Sequence, residues 1–172
     1  MAKNIVIGVG NLLFHDDGIG VIAVEYLKQN FSFSSELELL DGGTLGFNLI
    51  EYFLEYDNVF IIDTISTDAK AGEIYKIPST ELLGNGGYKN TAHEVEVVSM
   101  LEACELYDIK AKVTIFAMVP EDITTVKIGV SQVVSENFNL LIETLLEEIK
   151  GLNIKVVDKN TVLLEEIIIS IT

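Results

Sequence analysis

The stretch IVIGVGNLLFHDDGIG at residues 5–20 decides the fold of this chain. It begins with three β-branched apolar residues at 5–7, which are typical of a strand buried on both faces. Glycines follow at once, so the strand is predicted to enter a tight turn. Beyond the turn, apolar residues recur at spacings of three and four as far as Leu27, with polar residues between them. This periodicity predicts an amphipathic helix, and strand, loop and helix together form the first unit of an α/β fold.

The same alternation of strands and helices continues along the chain. Strands are predicted at 37–40, 59–62 and 112–119, helices at 47–56, 93–106 and 131–149, and a short edge strand at 72–77 that stops at Pro78. We therefore predict a single domain over 1–172 with a three-layer α/β core at 1–150, in which helices flank a mainly parallel twisted sheet. The tail at 151–172 is predicted to add a C-terminal β-hairpin, whose isoleucine run needs cover from the sheet or from a dimer contact.

The composition excludes several classes of protein. All 11 basic residues are lysines, and the 27 acidic residues give a net charge of −16. Such a surface repels nucleic acid, and a chain without arginine cannot clamp phosphate through a guanidinium group. Cys104 is the sole cysteine, so an internal disulfide is impossible, and no apolar stretch is long enough for a signal or membrane segment. We expect a cytoplasmic, soluble protein.

Acidic side chains follow three successive predicted strands. The first loop carries Asp16 and Asp17, the second strand ends at Asp41, and the third ends at Asp63. In an open parallel sheet, ligands bind beyond the carboxyl ends of the strands, so these carboxylates should converge at one edge. The first loop does not fit a dinucleotide site, because Leu13 stands in place of the third glycine and the carboxylates would repel a pyrophosphate. The pattern favours a bound cation.

Two histidines could add a nitrogen ligand. His15 lies within the acidic loop, and His93 lies at the start of a predicted helix, after a glycine-rich loop. Asp17, Asp63 and His93 would form an oxygen, oxygen, nitrogen set that can hold zinc, nickel, manganese or iron. Other interpretations stay open, because carboxylates in the first turn of a helix favour its positive end and an aspartate after a strand often caps a turn. Nucleophilic catalysis is disfavoured, since no G-x-S-x-G motif occurs and Cys104 lies on an apolar helix face.

The motif GVGNLLFHDDGIG at 8–20 resembles the opening motif of the nickel-iron hydrogenase maturation endopeptidases, G-x-G-N-x-L-x-x-D-[DE]-x-x-G. Four further blocks resemble later parts of that family, in the same order: LDGGT at 40–44, VFIIDT at 59–64, TAHEV at 91–95 and VPEDI at 119–123. The resemblance covers residues 4–150. It implies an endopeptidase, of aspartic type by class, that recognises nickel in the hydrogenase large-subunit precursor and removes the C-terminal peptide of that precursor.

The resemblance also implies roles for individual residues. The metal-contacting and catalytic residues would be Asp17, where many relatives have glutamate, Asp63 and His93. Supporting positions would be Asp16, Asp41, Gly8, Gly10 and Asn11. Nickel would arrive with the precursor, and zinc or cadmium could occupy the site in the isolated chain.

The remaining expectations concern partners and rival functions. The partner is expected to be the large-subunit precursor, with the chain itself a monomer or a weak dimer. One alternative function is a nickel-binding chaperone or adaptor that uses the same residues without cutting. A second alternative is a metal-free ligand-binding α/β domain.

Overall fold

The computed structural model describes residues 2–34, 36–84 and 92–172, and the side chains of 82–84 and 92–96 lie outside the described part. Strand β1 (Asn4–Val9) leads through a 3-10 turn (His15–Gly18) into helix α1 (Ile19–Asn30), as the opening stretch predicts. The remaining elements are β2 (Phe31–Phe33), β3 (Leu37–Gly43), α2 (Ile50–Glu55), β4 (Asn58–Thr64), β5 (Ile74–Pro78), α3 (Ser79–Gly84), α4 (Ala92–Leu106), β6 (Lys112–Met118), α5 (Gln132–Gly151), β7 (Val156–Asp158) and α6 (Leu164–Ser170).

Five strands form the central sheet in the order β3-β1-β4-β6-β5. The first four are mutually parallel, and β5 pairs antiparallel with β6 at the edge, where the sequence predicts an edge strand ending near Pro78. Helices cover both faces of the sheet, so the predicted three-layer α/β fold is confirmed. None of the described helices is both long enough and apolar enough to cross a membrane.

The inner strands β1, β4 and β6 have long apolar runs because each one contributes side chains to two cores. In β1, Val6 packs into the core formed with α1 and α5, whereas Ile5 and Ile7 pack into the core formed with α2 and α4. Cys104 is buried in the second core, as its position on an apolar helix face predicts. Burial on both faces removes the polar alternation of a half-exposed strand, which explains the continuous apolar runs in the sequence.

The predicted C-terminal hairpin is wrong. Its first half, β7, pairs antiparallel with β2, a short strand that the sequence reading missed. Its second half is the helix α6, which buries Leu164 and Ile167 against α1 and begins where the Leu163 backbone N–H donates to Glu166 Oε2 at 2.8 Å. The isoleucine run favours a strand by local preference, but one apolar face packed on α1 decides for a helix. The short helix α3 was also missed.

Candidate active site at the carboxyl edge of the sheet

The structure brings the acidic residues of three strands to the same edge of the sheet. Asp63 is the penultimate residue of β4 and Asp17 lies in the turn that follows the neighbouring β1; their exposed fractions are 4 % and 5 %. Asp41 lies near the end of β3, opposite Gly8 of β1, and its side chain is exposed. The expected convergence is therefore observed, with Asp17 and Asp63 enclosed and Asp41 at the rim.

Glycines allow the turn that carries Asp17 to sit directly on the strand ends. A Cβ atom at Gly20 would lie 2.2 Å from the Val9 carbonyl oxygen and 2.3 Å from the Ile62 carbonyl oxygen. At Gly10, φ is +132° and a Cβ atom would lie 1.8 Å from the Asp17 carbonyl oxygen. Since only glycine leaves room for these backbone contacts, the glycines fix where the Asp17 backbone lies relative to β1 and β4.

Hydrogen bonds from backbone N–H groups orient the carboxylates of Asp17 and Asp63. The Asn11 backbone N–H donates to Asp17 Oδ2 at 2.9 Å, and the Asn11 side chain in turn accepts from the Leu13 N–H at 3.0 Å. Asp63 Oδ1 accepts from the Thr64 N–H at 2.7 Å. Gly8, the other supporting position, packs its backbone against Gly20, where a Cβ atom would approach the carbonyl oxygen to 2.0 Å. These contacts orient the carboxylates through backbone donors, so their geometry is set by the fold.

Asp16 has a different role from Asp17. Its carboxylate is fully buried and accepts three backbone hydrogen bonds, from Glu121 and Asp122 to Oδ2 at 2.9 Å each and from Ser131 to Oδ1 at 2.6 Å. Ser131 also caps α5, since its Oγ accepts from the Val134 N–H. Asp16 therefore ties the first loop to residues 121–131, a contact that the sequence reading did not anticipate.

We expect Asp16→Asn to lower the free energy of unfolding by about 2–4 kcal/mol. The amide keeps one oxygen acceptor, but its NH₂ group would face a backbone N–H donor, and buried donors left without partners each cost about 1–3 kcal/mol. Urea denaturation followed by circular dichroism measures the change. Glu121→Gln, at an exposed neighbouring carboxylate, is the control and should leave stability within about 0.5 kcal/mol. Equal stability of the two variants would contradict the structural role of Asp16.

Residues 121–131 lie against the first loop and are held by their own turn as well as by Asp16. Asp122 Oδ1 accepts from the backbone N–H groups of Thr124 and Thr125 at 2.9 and 3.0 Å. Hydrogen bonds from the Thr125 side chain and from these two backbone groups hold the pKa of the Asp122 carboxyl well below its usual range. The carboxylate therefore stabilises this turn at neutral pH. The available signal in the sequence was Asp16, the first aspartate of the loop, which needed a partner once Asp17 was assigned to the site.

The two histidines differ in what the structure describes. His93 lies in the first turn of α4, and its side chain falls outside the described part. The His15 side chain is 9 % exposed, its φ is +48°, and both ring nitrogens lack a hydrogen-bond partner among the described residues. A positive φ at a residue other than glycine and each unpaired buried polar atom cost on the order of 1–3 kcal/mol. The fold therefore holds His15 in an unfavourable conformation, immediately before Asp16 and Asp17 in the chain.

The donors at this edge suit a divalent cation but do not complete a site by themselves. Carboxylate oxygens bind zinc, nickel and manganese, and Asp17 and Asp63 are both shielded from solvent. Across the described residues, no three histidine, cysteine, aspartate or glutamate side chains lie close enough together to hold a metal ion. Further ligands would have to come from outside this set.

A mainly parallel α/β sheet with two buried carboxylates, one after β1 and one at the end of β4, defines a class of protein with an acidic site beyond its strand ends. The model of the HycI family, described as hydrogenase maturation protease, matches residues 21–148. The chain belongs to this family. Membership places it among the hydrogenase maturation endopeptidases, which are hydrolases.

Individual relatives agree with this assignment. The hydrogenase 2 maturation protease of Escherichia coli is 26 % identical over 160 residues, which are 92 % of this chain and 97 % of that protein. HupD of Rhizobium leguminosarum, a hydrogenase expression/formation protein, is 30 % identical over 102 residues, so the match spans 59 % of this chain and half of that relative. The solved structure of the E. coli maturating endopeptidase HybD superposes with a TM-score of 0.84 at 26 % identity, covering 91 % of this chain and 98 % of that one.

Proposed function

We propose that this chain removes the C-terminal peptide from a nickel-loaded hydrogenase large-subunit precursor. The observation that carries the proposal is the pair of buried carboxylates, Asp17 and Asp63, at the carboxyl edge of the sheet. The family to which the chain belongs is described as hydrogenase maturation protease. Solvent-shielded carboxylates at this position are suited to a cation and to moving a proton during hydrolysis.

In this proposal nickel is part of the substrate. Asp17, Asp63 and His93 would contact the metal that the precursor carries, and the precursor's own ligands would complete its coordination. Two carboxylates and one imidazole leave coordination positions open on a divalent metal, which the precursor's own ligands would fill. The metal would anchor the precursor so that its scissile bond stays next to the carboxylates.

Water is the proposed nucleophile. Cys104 lies on α4 and is buried in the core beneath that helix; burial raises the pKa of its thiol, so it is unsuited to attack a peptide bond. The Asn11 N–H donates to Asp17 Oδ2, which fixes the orientation of this carboxylate. A carboxylate would accept a proton from water as the water oxygen bonds to the scissile carbonyl carbon, and the same proton would pass to the amine nitrogen as the C–N bond breaks.

The test is incubation of the purified chain with the purified nickel-loaded precursor, followed by mass spectrometry of the precursor. We expect the precursor to lose the mass of its C-terminal peptide, and we expect precursor without nickel to stay intact. An unchanged mass together with a stable complex would favour the chaperone or adaptor function. Absence of both cleavage and complex formation would favour the metal-free ligand-binding domain.

A further inference from the structure

His15 is a buried polar side chain that the proposed function leaves unused. Both of its ring nitrogens are closed off from solvent and have no hydrogen-bond partner among the described residues. The residue is held at φ +48° between the exposed Phe14 and the buried Asp16. Native proteins seldom keep an unsatisfied buried imidazole in a strained backbone unless another requirement maintains it.

The backbone around His15 is fixed, so the imidazole cannot find a partner by a small shift of the loop. Residues 13–16 and 121–131, which we call the seam, are joined by three hydrogen bonds to the Asp16 carboxylate and three between backbone groups. Those three backbone bonds run from Lys127 to Leu13, from His15 to Lys127 and from Asp16 to Asp122, each at 3.0 Å. The seam therefore fixes the His15 backbone within the turn that also carries Asp17.

The chemistry of the two nitrogens indicates what they lack. A neutral imidazole presents one N–H donor and one acceptor, and a peptide backbone presents the complementary carbonyl and N–H groups. A metal ion would use one nitrogen and leave the other unpaired, and His15 forms no three-residue cluster with the described carboxylates. The observations thus favour a peptide over a metal as the partner of His15.

The side chains on the seam also suit a peptide. Leu13, Phe14 and Val126 are exposed by 54 %, 38 % and 74 %, although the backbone bonds of the seam bring residues 13–15 and 127 together. Apolar side chains presented by an ordered backbone contact an extended chain at low cost in conformational entropy.

We propose that His15 is a substrate-binding residue that hydrogen-bonds the backbone of the precursor segment next to the scissile bond. The inference rests on the proposed function, because it places the peptide of the precursor along the seam. The side chains that enclose the ring must move aside when the precursor docks, after which both nitrogens gain partners. The same contact fixes the segment relative to Asp17.

Two variants test this role through cleavage kinetics. His15→Leu keeps an apolar shape but removes both polar nitrogens, and we expect KM for the nickel-loaded precursor to rise about tenfold or more, with kcat changed less than about threefold. His15→Asn retains a donor and an acceptor and tolerates a positive φ, so it should recover part of the loss in KM. Thermal melting of His15→Leu should occur at the same or a higher temperature than that of the parent chain, because no hydrogen bond is lost in the free protein.

A spectroscopic measurement tests the contact without relying on cleavage. The chain has two histidines, so ¹⁵N spectra of its imidazoles contain two sets of signals, which the His15→Leu variant assigns. We expect the His15 signals to shift on addition of the precursor and to stay unchanged on addition of Ni²⁺ or Cd²⁺ alone.

The outcomes separate this inference from the proposed function. If the parent chain cleaves the precursor but His15→Leu has the same KM, the inference fails and the proposed function stands. If the parent chain binds the precursor without cutting it and the His15 signals shift, the endopeptidase function fails, whereas the contact between His15 and the precursor stands. A shift with Ni²⁺ alone would make His15 a metal ligand, and a lower melting temperature with unchanged KM would make it a structural residue; either result overturns the inference. Failure of the parent chain to bind the precursor overturns both.

Discussion

Asp17→Asn and Asp63→Asn are each expected to lower the rate of precursor cleavage by about 10²–10⁴-fold without unfolding the protein. An amide of the same shape removes the negative charge that would contact the precursor's metal and the basic oxygen that would accept a proton. The fold should survive, because the retained side-chain oxygen can still accept from the Asn11 N–H at position 17 and from the Thr64 N–H at position 63. Mass spectrometry of the precursor over time measures the rate.

Asp68→Asn is the matched control, since Asp68 is an exposed aspartate on the loop between β4 and β5. We expect its cleavage rate to stay within about twofold of that of the parent chain. Circular dichroism of all three variants checks that the fold is kept. If Asp17→Asn cleaves at the rate of the control, Asp17 is not part of the chemistry.

Asp17→Glu refines the same experiment. This substitution introduces glutamate, the residue that many relatives have at position 17 according to the family resemblance. Because Gly10 and Gly20 fix the backbone of the turn, the extra methylene would move the carboxylate and not the loop. We expect partial activity, which would indicate that this chain places the precursor's metal closer to the first loop. Full activity would show that the site tolerates both lengths.

Much of the fold could be predicted from the sequence because its signals are local. The apolar runs of β1, β4 and β6 are continuous, since each strand is buried on both faces, and they alternate with helices of clear periodicity. A parallel sheet then has a defined carboxyl edge, so Asp17 and Asp63 could be placed together without knowledge of any contact.

The features that the sequence did not reveal depend on contacts between distant segments. The three donors to Asp16 come from residues more than 100 positions away, and no local pattern identifies them. The helix α6 forms because Leu164 and Ile167 pack on α1, which outweighs the strand preference of its isoleucines. The unpaired nitrogens of His15 are likewise a property of the folded surroundings, because the residue type alone says nothing about its partners.

The glycine at position 20 leads to the largest predicted effect on stability. We expect Gly20→Ala to lower the free energy of unfolding by about 3 kcal/mol or more, or to prevent folding. Its methyl group would lie 2.2 Å from the Val9 carbonyl oxygen and 2.3 Å from that of Ile62. Both atoms belong to strands in the middle of the sheet, so relief requires α1 to move away from β1 and β4. Chemical denaturation measures the change.

Gly151→Ala is the control for Gly20→Ala. Gly151 is the last residue of α5, and a Cβ atom there meets no atom within 4 Å. Alanine favours a helix over glycine, so this variant should be more stable than the parent chain by up to about 1 kcal/mol. Opposite signs at the two glycines would show that close backbone contact, and not the loss of glycine as such, governs position 20. If Gly20→Ala were as stable as Gly151→Ala, the first turn of α1 could not lie against the ends of β1 and β4, and the placement of Asp17 beside Asp63 would have to be abandoned.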